Sequence, residues 1–311
     1  MNLEGSTVTP RDRSWLYKFL YYLIKGFNFL RRYSQQPRYA FTYLLYVWRP
    51  NYREKIYFLT DEEFLEEAKN KSTLRLGDGE FTLMLGTRDI IVQKFDPELR
   101  SFFYNIAKDY HSRSPYLLAL PPHLNIPNQK LEVHDFHYLW MPGKILFRLY
   151  FNAMAIYSDA SFFYRRGMTK TFLKAVTSES HAIFVTNADN IAKLKQREKD
   201  LVPEAKFISY VETPPTNTYE LRSVVFEEIQ NSITRHNSKP MVVFACGPAG
   251  KVLAHKLAVE GLAVAHDVGS GIAFLFDQED HEWQMKWAEF GTLYSEYRNL
   301  DRRIMNQNHE N

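Results

Sequence analysis

The sequence predicts an α/β domain, a mostly parallel sheet flanked by helices on both faces, with a helical extension ahead of it. Three observations lead there. From Ile56 onward, short strand-like runs alternate with helical ones, an order that needs crossover connections. Several strand candidates, residues 116–120 among them, read as buried runs without polar alternation. Glycine turns, Gly77-Asp78-Gly79 and Gly247-Pro248-Ala249-Gly250, stand where strands end and helices begin.

Taken in order, residues 1–10 read as a disordered start, and Ser14 as the cap of a helix over 15–32. Lys18, Lys25 and Arg32 are spaced by seven and share a narrow face with Asn28, while Phe19, Leu20, Leu23, Phe27 and Leu30 cover the others. Such a helix suits a peripheral membrane contact on the inner face, and it suits packing on the following domain equally well. The three basic residues and the missing cleavage site argue against a signal peptide or a span. A second aromatic run, 39–48, ends at Arg49-Pro50.

Thr60 with Glu63 forms the signature of a capping box opening a helix over 61–69. Residues 72–76 suit a strand, and 81–85 begin another helix. Asp96-Pro97-Glu98 starts a helix whose apolar face is Leu99, Phe102, Phe103 and Ile106. A strand over 116–120 stops at Pro121-Pro122, and the aromatic stretch 134–164 reads as mainly helical. Beyond it come strand 182–186, helix 189–199, strand 206–211, helix 218–233, strand 241–245, helix 251–259 and strand 262–267. The expected division is an extension over 1–55, a catalytic domain over 56–287 and a polar tail over 288–311.

Bulk properties exclude some functions. A net charge of +3 over 311 residues is too small for a general nucleic-acid binder, so no nucleic-acid partner is expected. The one cysteine, Cys246, excludes an internal disulfide and a multi-cysteine zinc site, which favours a reducing, cytoplasmic setting.

The chemistry is expected around Arg75-Leu76-Gly77-Asp78-Gly79-Glu80. Gly77 and Gly79 let the chain turn sharply beside a ligand, and Asp78 and Glu80, one residue apart, can aim oxygens at one hard cation, Mn²⁺ or Mg²⁺. A diphosphate would complete the shell, with Arg75 adding a bidentate phosphate contact. The plain alternative is a surface turn, since Gly-Asp-Gly is common turn chemistry.

The run LRLGDGEFTLMLG, followed by Gln93-Lys94-Phe95-Asp96-Pro97-Glu98-Leu99, resembles the opening of the GT-D fold glycosyltransferases, a bacterial family. Three later stretches fit in order: Tyr150-Phe151-Asn152-Ala153, Pro214-Pro215-Thr216-Asn217-Thr218-Tyr219 and Ala245-Cys246-Gly247-Pro248-Ala249-Gly250. Together they extend the similarity over about 73–277. The resemblance implies a Rossmann-like sheet and transfer of a sugar from a nucleoside diphosphate donor, UDP foremost. It implies that Asp78 and Glu80 hold the metal, that Asn152 and Asn217 lie near the donor, and that Gly247 and Pro248 let the backbone approach it. The acceptor would be a glycan or lipid-linked glycan of surface polysaccharide or glycoprotein synthesis.

One departure concerns the last segment, where the family tends to carry Asp-x-Gly-His-x-Asp and this chain has Asp267-Val268-Gly269-Ser270-Gly271-Ile272. Asp267 and Asp277 are the candidates for an acceptor base. Two rivals remain at this level. The stretch 242–250 with Asp267 looks like the first motif and ribose acid of an S-adenosylmethionine-dependent methyltransferase, although such a motif normally opens the sheet. A non-catalytic scaffold docked through the N-terminal helix is the other. A Walker loop at Gly250-Lys251 fails, because Val252 replaces the hydroxyl and Ala245 the first glycine.

Overall fold

The computed structural model describes residues 53–85, 89–128, 137–165, 167–177, 181–237 and 239–276. The proposed extension helix at 15–32, Asp277 and the tail fall outside them. Strands β1 (Tyr57–Phe58), β2 (Ser72–Arg75), β3 (Tyr116–Leu120), β4 (Ile156–Asp159), β5 (His181–Thr186), β6 (Phe207–Glu212), β7 (Met241–Ala245) and β8 (Val264–Asp267) form one sheet in the order β1-β4-β3-β2-β8-β7-β5-β6. Every pairing is parallel. The α/β expectation therefore holds, with helices supplying the crossovers.

Those helices are α1 (Asp61–Ala68), α2 (Asp78–Leu85), α3 (Pro97–Asp109), α4 (His137–Tyr150), α5 (Met168–Val176), α6 (Ala188–Lys195), α7 (Glu198–Leu201), α8 (Arg222–His236) and α9 (Pro248–Val259). Local chemistry sets their starts. Thr60 Oγ1 accepts from Glu63 N at 3.1 Å while Glu63 Oε2 accepts from Thr60 N at 2.7 Å, which is the capping box. Asp96 Oδ1 accepts from Leu99 N at 2.9 Å, with Pro97 as the first helical residue.

Both sheet faces are covered, and period-two side-chain alternation shows it. Leu118, Ile183, Val185, Val242 and Phe244 enter one core with Phe81, Phe103, Phe147 and Leu253. Leu117, Ala182, Phe184, Met241 and Val243 enter the other with Phe64, Phe162, Phe163 and Phe172. Strands apolar on both sides are the reason no alternation is visible in the sequence.

Several boundaries differ from expectation: α2 begins at Asp78 rather than 81, α9 at Pro248 rather than 251, and β8 at Val264 rather than 262. The stretch 134–164 is helical only over α4; Ile156–Asp159 then forms β4, and Phe162–Tyr164 a 3-10 turn. A four-residue strand is too short to show a period against so aromatic a background. The helix expected over 189–199 breaks after Lys195 and resumes as α7. That expected at 218 begins as a 3-10 turn, because Asn217 ahead of it is left-handed at φ 56°. Among the described residues no helix is long and apolar enough to cross a membrane.

The site is positioned by the middle of the sheet. From β2 the chain moves outward through β3 and β4, whereas β8 lies on the other side of β2 with β7 beyond it. By the rule for open parallel sheets, this divergence places the ligand crevice at the carboxyl ends of β2 and β8. Helices α2 and α9 both start there, directly after β2 and β7.

Candidate active site

Four charged side chains meet under that crevice. Glu80, on the first turn of α2, turns back so that Oε2 accepts from Gly77 N at 2.7 Å. Its other oxygen lies 3.1 Å from Lys251 Nζ, and the same ammonium stands 3.0 Å from Asp267 Oδ2 at the end of β8. Arg75, ending β2, places Nε 3.8 Å from Asp267 Oδ2, donates through Nη1 to the Tyr164 hydroxyl, and stacks 5.0 Å from that ring's centre. Tyr164 in turn meets Ser270 Oγ at 3.0 Å. Glu80 is 6% exposed, Lys251 1% and Asp267 0%.

Electrostatics follows from this enclosure. Burial alone would raise Glu80, but Lys251, then Arg75 and the Gly77 N–H outweigh it and hold the carboxyl below the ordinary glutamate range. Burial likewise disfavours the Lys251 ammonium, yet Asp267 and then Glu80 keep it charged and raise its pKa. By formal charge the interior sets two cations against two carboxylates, and of the two carboxylates Asp267 is the one whose burial raises its pKa against the pull of Lys251 and Arg75. Asp78 is different. Its side chain reaches solvent, and desolvation by the surrounding protein, followed by the charge of Glu80, lifts its carboxyl above the ordinary aspartate value.

Glycines shape the surroundings. At Gly269, φ is 52° and an added Cβ would lie 2.1 Å from Arg75 Nη2, so the guanidinium packs directly over bare backbone. Gly79 and Gly247 make room for protein rather than ligand, since a Cβ there would meet Ile90 Cδ1 and Val92 Cγ2, each at 3.2 Å. The loop carrying those residues is closed by the Ile90–Gln93 bridge and leaves Ile91 99% exposed. Pro248 is the buried first residue of α9.

The expected site residues separate accordingly. Arg75, Gly77, Asp78, Gly79, Glu80, Gly247, Pro248 and Asp267 gather at the crevice. Asn217 stands behind the loop: its N–H donates to Val92 O and its Oδ1 accepts from Lys94 N, both at 2.9 Å. Asn152 is elsewhere, on the turn before β4 at the amino edge of the sheet, where Oδ1 accepts from Met154 N at 2.9 Å. The expected chelation by both Asp78 and Glu80 meets an obstacle, because both Glu80 oxygens already have partners. Among the described residues no group of three or more His, Cys, Asp or Glu could hold a metal ion. Asp267 is fully enclosed, with Oδ2 3.0 Å from Lys251 Nζ. Cys246 is buried, which pushes its thiol up and makes it a poor nucleophile.

Sequence reasoning missed Lys251 and Tyr164. Lys251 carried a signal, a charge set among the apolar Ala249, Leu253 and Ala254 of α9. Tyr164 had none, sitting in an undivided aromatic stretch.

A parallel sheet with a helix-started crevice at its carboxyl ends, holding basic and acidic groups, is the architecture of an α/β enzyme acting on an anionic ligand. Residues 73–289 match the family model described as Glycosyltransferase GT-D fold, and the chain belongs to that family and is a glycosyltransferase. A Streptococcus sanguinis structure titled a new glycosyltransferase is 20% identical, with a TM-score of 0.57 over 76% of this chain and 85% of that one. Another, titled as the domain of unknown function 1792 with a distinct glycosyltransferase fold, is 20% identical, with a TM-score of 0.57 over 76% of this chain and 83% of the other. At such identities the likeness is one of fold. No curated protein matches the chain.

Proposed function

We propose that this glycosyltransferase takes its sugar from a nucleoside diphosphate, UDP first among them, and passes it to a glycan or lipid-linked glycan acceptor of bacterial surface polysaccharide or glycoprotein synthesis. The observation that carries this reading is Asp78, an open carboxylate at the start of α2 beside the guanidinium of Arg75. Helix starts and Arg75 favour a diphosphate in the crevice. Asp78 alone would repel it, so an anion site containing this residue calls for a cation between the two.

The donor chemistry fits Mn²⁺ or Mg²⁺ at Asp78, since such ions are commonly held by one or two carboxylates together with substrate phosphates. Glu80 does not fit as a second ligand while Gly77 N and Lys251 hold its oxygens. When bound, the ion would neutralise charge developing on the leaving diphosphate. The chain's own part is to orient the phosphates: Tyr164 fixes Arg75, and Asn217 fixes the 90–94 loop against Gly247. With Asp267 enclosed, the acceptor proton is assigned to Asp277, which directly follows the 3-10 helix Gly269–Phe276.

Thermal melting of the full chain tests this. UDP should raise the Tm with Mn²⁺ present and much less without it, and Asp78→Asn should lose the Mn²⁺-dependent part. An unchanged shift in that variant, or a shift with S-adenosylmethionine instead, refutes the proposal. A cytoplasmic setting, resting on the single cysteine, and peripheral membrane contact through residues 15–32, resting on periodicity, belong to the same reading. Liposome co-sedimentation that survives deletion of residues 1–50 counts against the membrane contact.

A further inference from the structure

Lys251 entered the sequence reading only through a Walker loop that fails, yet it touches both enclosed carboxylates of the site. Its ammonium is 3.1 Å from Glu80 Oε1 and 3.0 Å from Asp267 Oδ2, the place where a bridging divalent ion would take one oxygen from each. It cannot swing away easily. The lysine leaves the first turn of α9, is 1% exposed, and has Nζ 3.4 Å from Gly247 O in the same turn.

Charge counting decides what else the pocket admits. Arg75 and Lys251 already neutralise Glu80 and Asp267, so a divalent ion among them would leave an uncompensated buried surplus, which is strongly unfavourable. Asp267 Oδ1 meanwhile has no hydrogen-bond partner and points toward the first turn of α9, where a Cβ at Gly250 would sit 3.4 Å from it. That oxygen is a ready ligand once the ammonium is gone.

We infer that Lys251 is the built-in cation of the site: it fills the bridging position between Glu80 and Asp267, and leaves Asp78 as the one acidic side chain of the turn open to an added metal. Lys251 is then a positioning residue. Through Glu80, whose second oxygen holds Gly77 N, it fixes the turn that presents Asp78 at the mouth.

The test is Mn²⁺ binding, followed by electron paramagnetic resonance on the full chain, with and without UDP. Lys251→Met should gain a nucleotide-independent Mn²⁺ site at least ten-fold tighter than any in the unaltered protein, and adding Glu80→Gln should remove it. In the unaltered background with UDP present, Asp78→Asn should lower Mn²⁺ affinity at least ten-fold, and Glu80→Gln, which only loosens the turn that presents Asp78, should lower it by clearly less. This second comparison rests on the Asp78 reading. If the unaltered protein takes up no Mn²⁺ with UDP, that reading fails while the gain in Lys251→Met still decides the role of the lysine. Should Lys251→Met be unstable, melting with and without Mn²⁺ replaces the titration: recovery of Tm by the ion supports the inference, and no recovery overturns it. A folded Lys251→Met that binds no more Mn²⁺ than its parent, or a loss on Glu80→Gln equal to that on Asp78→Asn, also overturns it.

Discussion

The Nζ of Lys251 stands 3.0 Å from Oδ2 of Asp267, and neither side chain meets solvent. The contact joins the start of one helix to the end of the neighbouring strand, and Glu80 extends it to the start of a second helix. Three chain segments far apart in sequence are therefore locked where the crevice opens. Such a network gives little net stability over an apolar core, but loss of one member strands the others.

Glu80→Gln is accordingly expected to destabilise the fold by about 3–5 kcal/mol at neutral pH, the range for breaking a buried pair from one side. The folded pKa of Glu80 is depressed, so its contribution is present above the ordinary glutamate value and is lost as pH falls through the folded value. Urea denaturation at pH 7 and at pH values below the ordinary glutamate value should show the gap between variant and parent narrowing toward acid. A gap that stays constant with pH would sink the charged role.

Asp78→Asn should behave in the opposite way. Burial and Glu80 raise this carboxyl, so its ionisation works against the fold as pH rises from the ordinary aspartate value through the elevated one. The variant is expected to match or exceed the parent in Tm at pH 7, with the difference vanishing in acid. Donor turnover should nonetheless fall on the order of 100-fold or more, the usual scale for losing a key electrostatic group. A large drop in Tm would mean that the residue is structural.

The contrast between these neighbours marks how far the sequence could be read. The Gly77-Asp78-Gly79-Glu80 turn, the capping box at Thr60 and Glu63, the Asp96-Pro97 start and strands such as Met241–Ala245 were legible because each depends on adjacent residues. Which of the two acids faces water was not, because it depends on Lys251, 171 positions beyond Glu80. The sequence pointed to Asn217 as a residue near the donor, and could not say that its oxygen binds Lys94 N. Asn152 drew attention for its context and proves to serve a local turn at the amino edge of the sheet. The strand Ile156–Asp159 was hidden by its brevity among aromatics.

Asn217 offers a separable test of loop positioning. Its φ of 56° suits asparagine or glycine, and its side chain holds the 90–94 loop. Asn217→Gly keeps the backbone and removes one hydrogen bond, so stability should fall by only about 1 kcal/mol. The donor KM is expected to rise roughly ten-fold, about 1.4 kcal/mol of lost binding, with kcat less affected. An unchanged KM would remove the loop from the donor site.

A pair of glycines separates steric from conformational effects on Arg75. Gly269 and Gly261 both have positive φ, 52° and 67°, so alanine strains either backbone by about 1–2 kcal/mol. Nothing lies within 4 Å of a Cβ at Gly261, whereas one at Gly269 falls 2.1 Å from the Arg75 guanidinium. That guanidinium has nowhere free to go, being tied to Tyr164 and Asp267. Gly269→Ala should therefore add an overpacking cost of about 1–3 kcal/mol and displace Arg75 from the phosphate position, lowering kcat/KM at least ten-fold. Gly261→Ala should lose a similar part of its stability to strain and keep its activity. Comparable kcat/KM in the two variants, measured well below their melting temperatures, would show that Arg75 does not orient the donor.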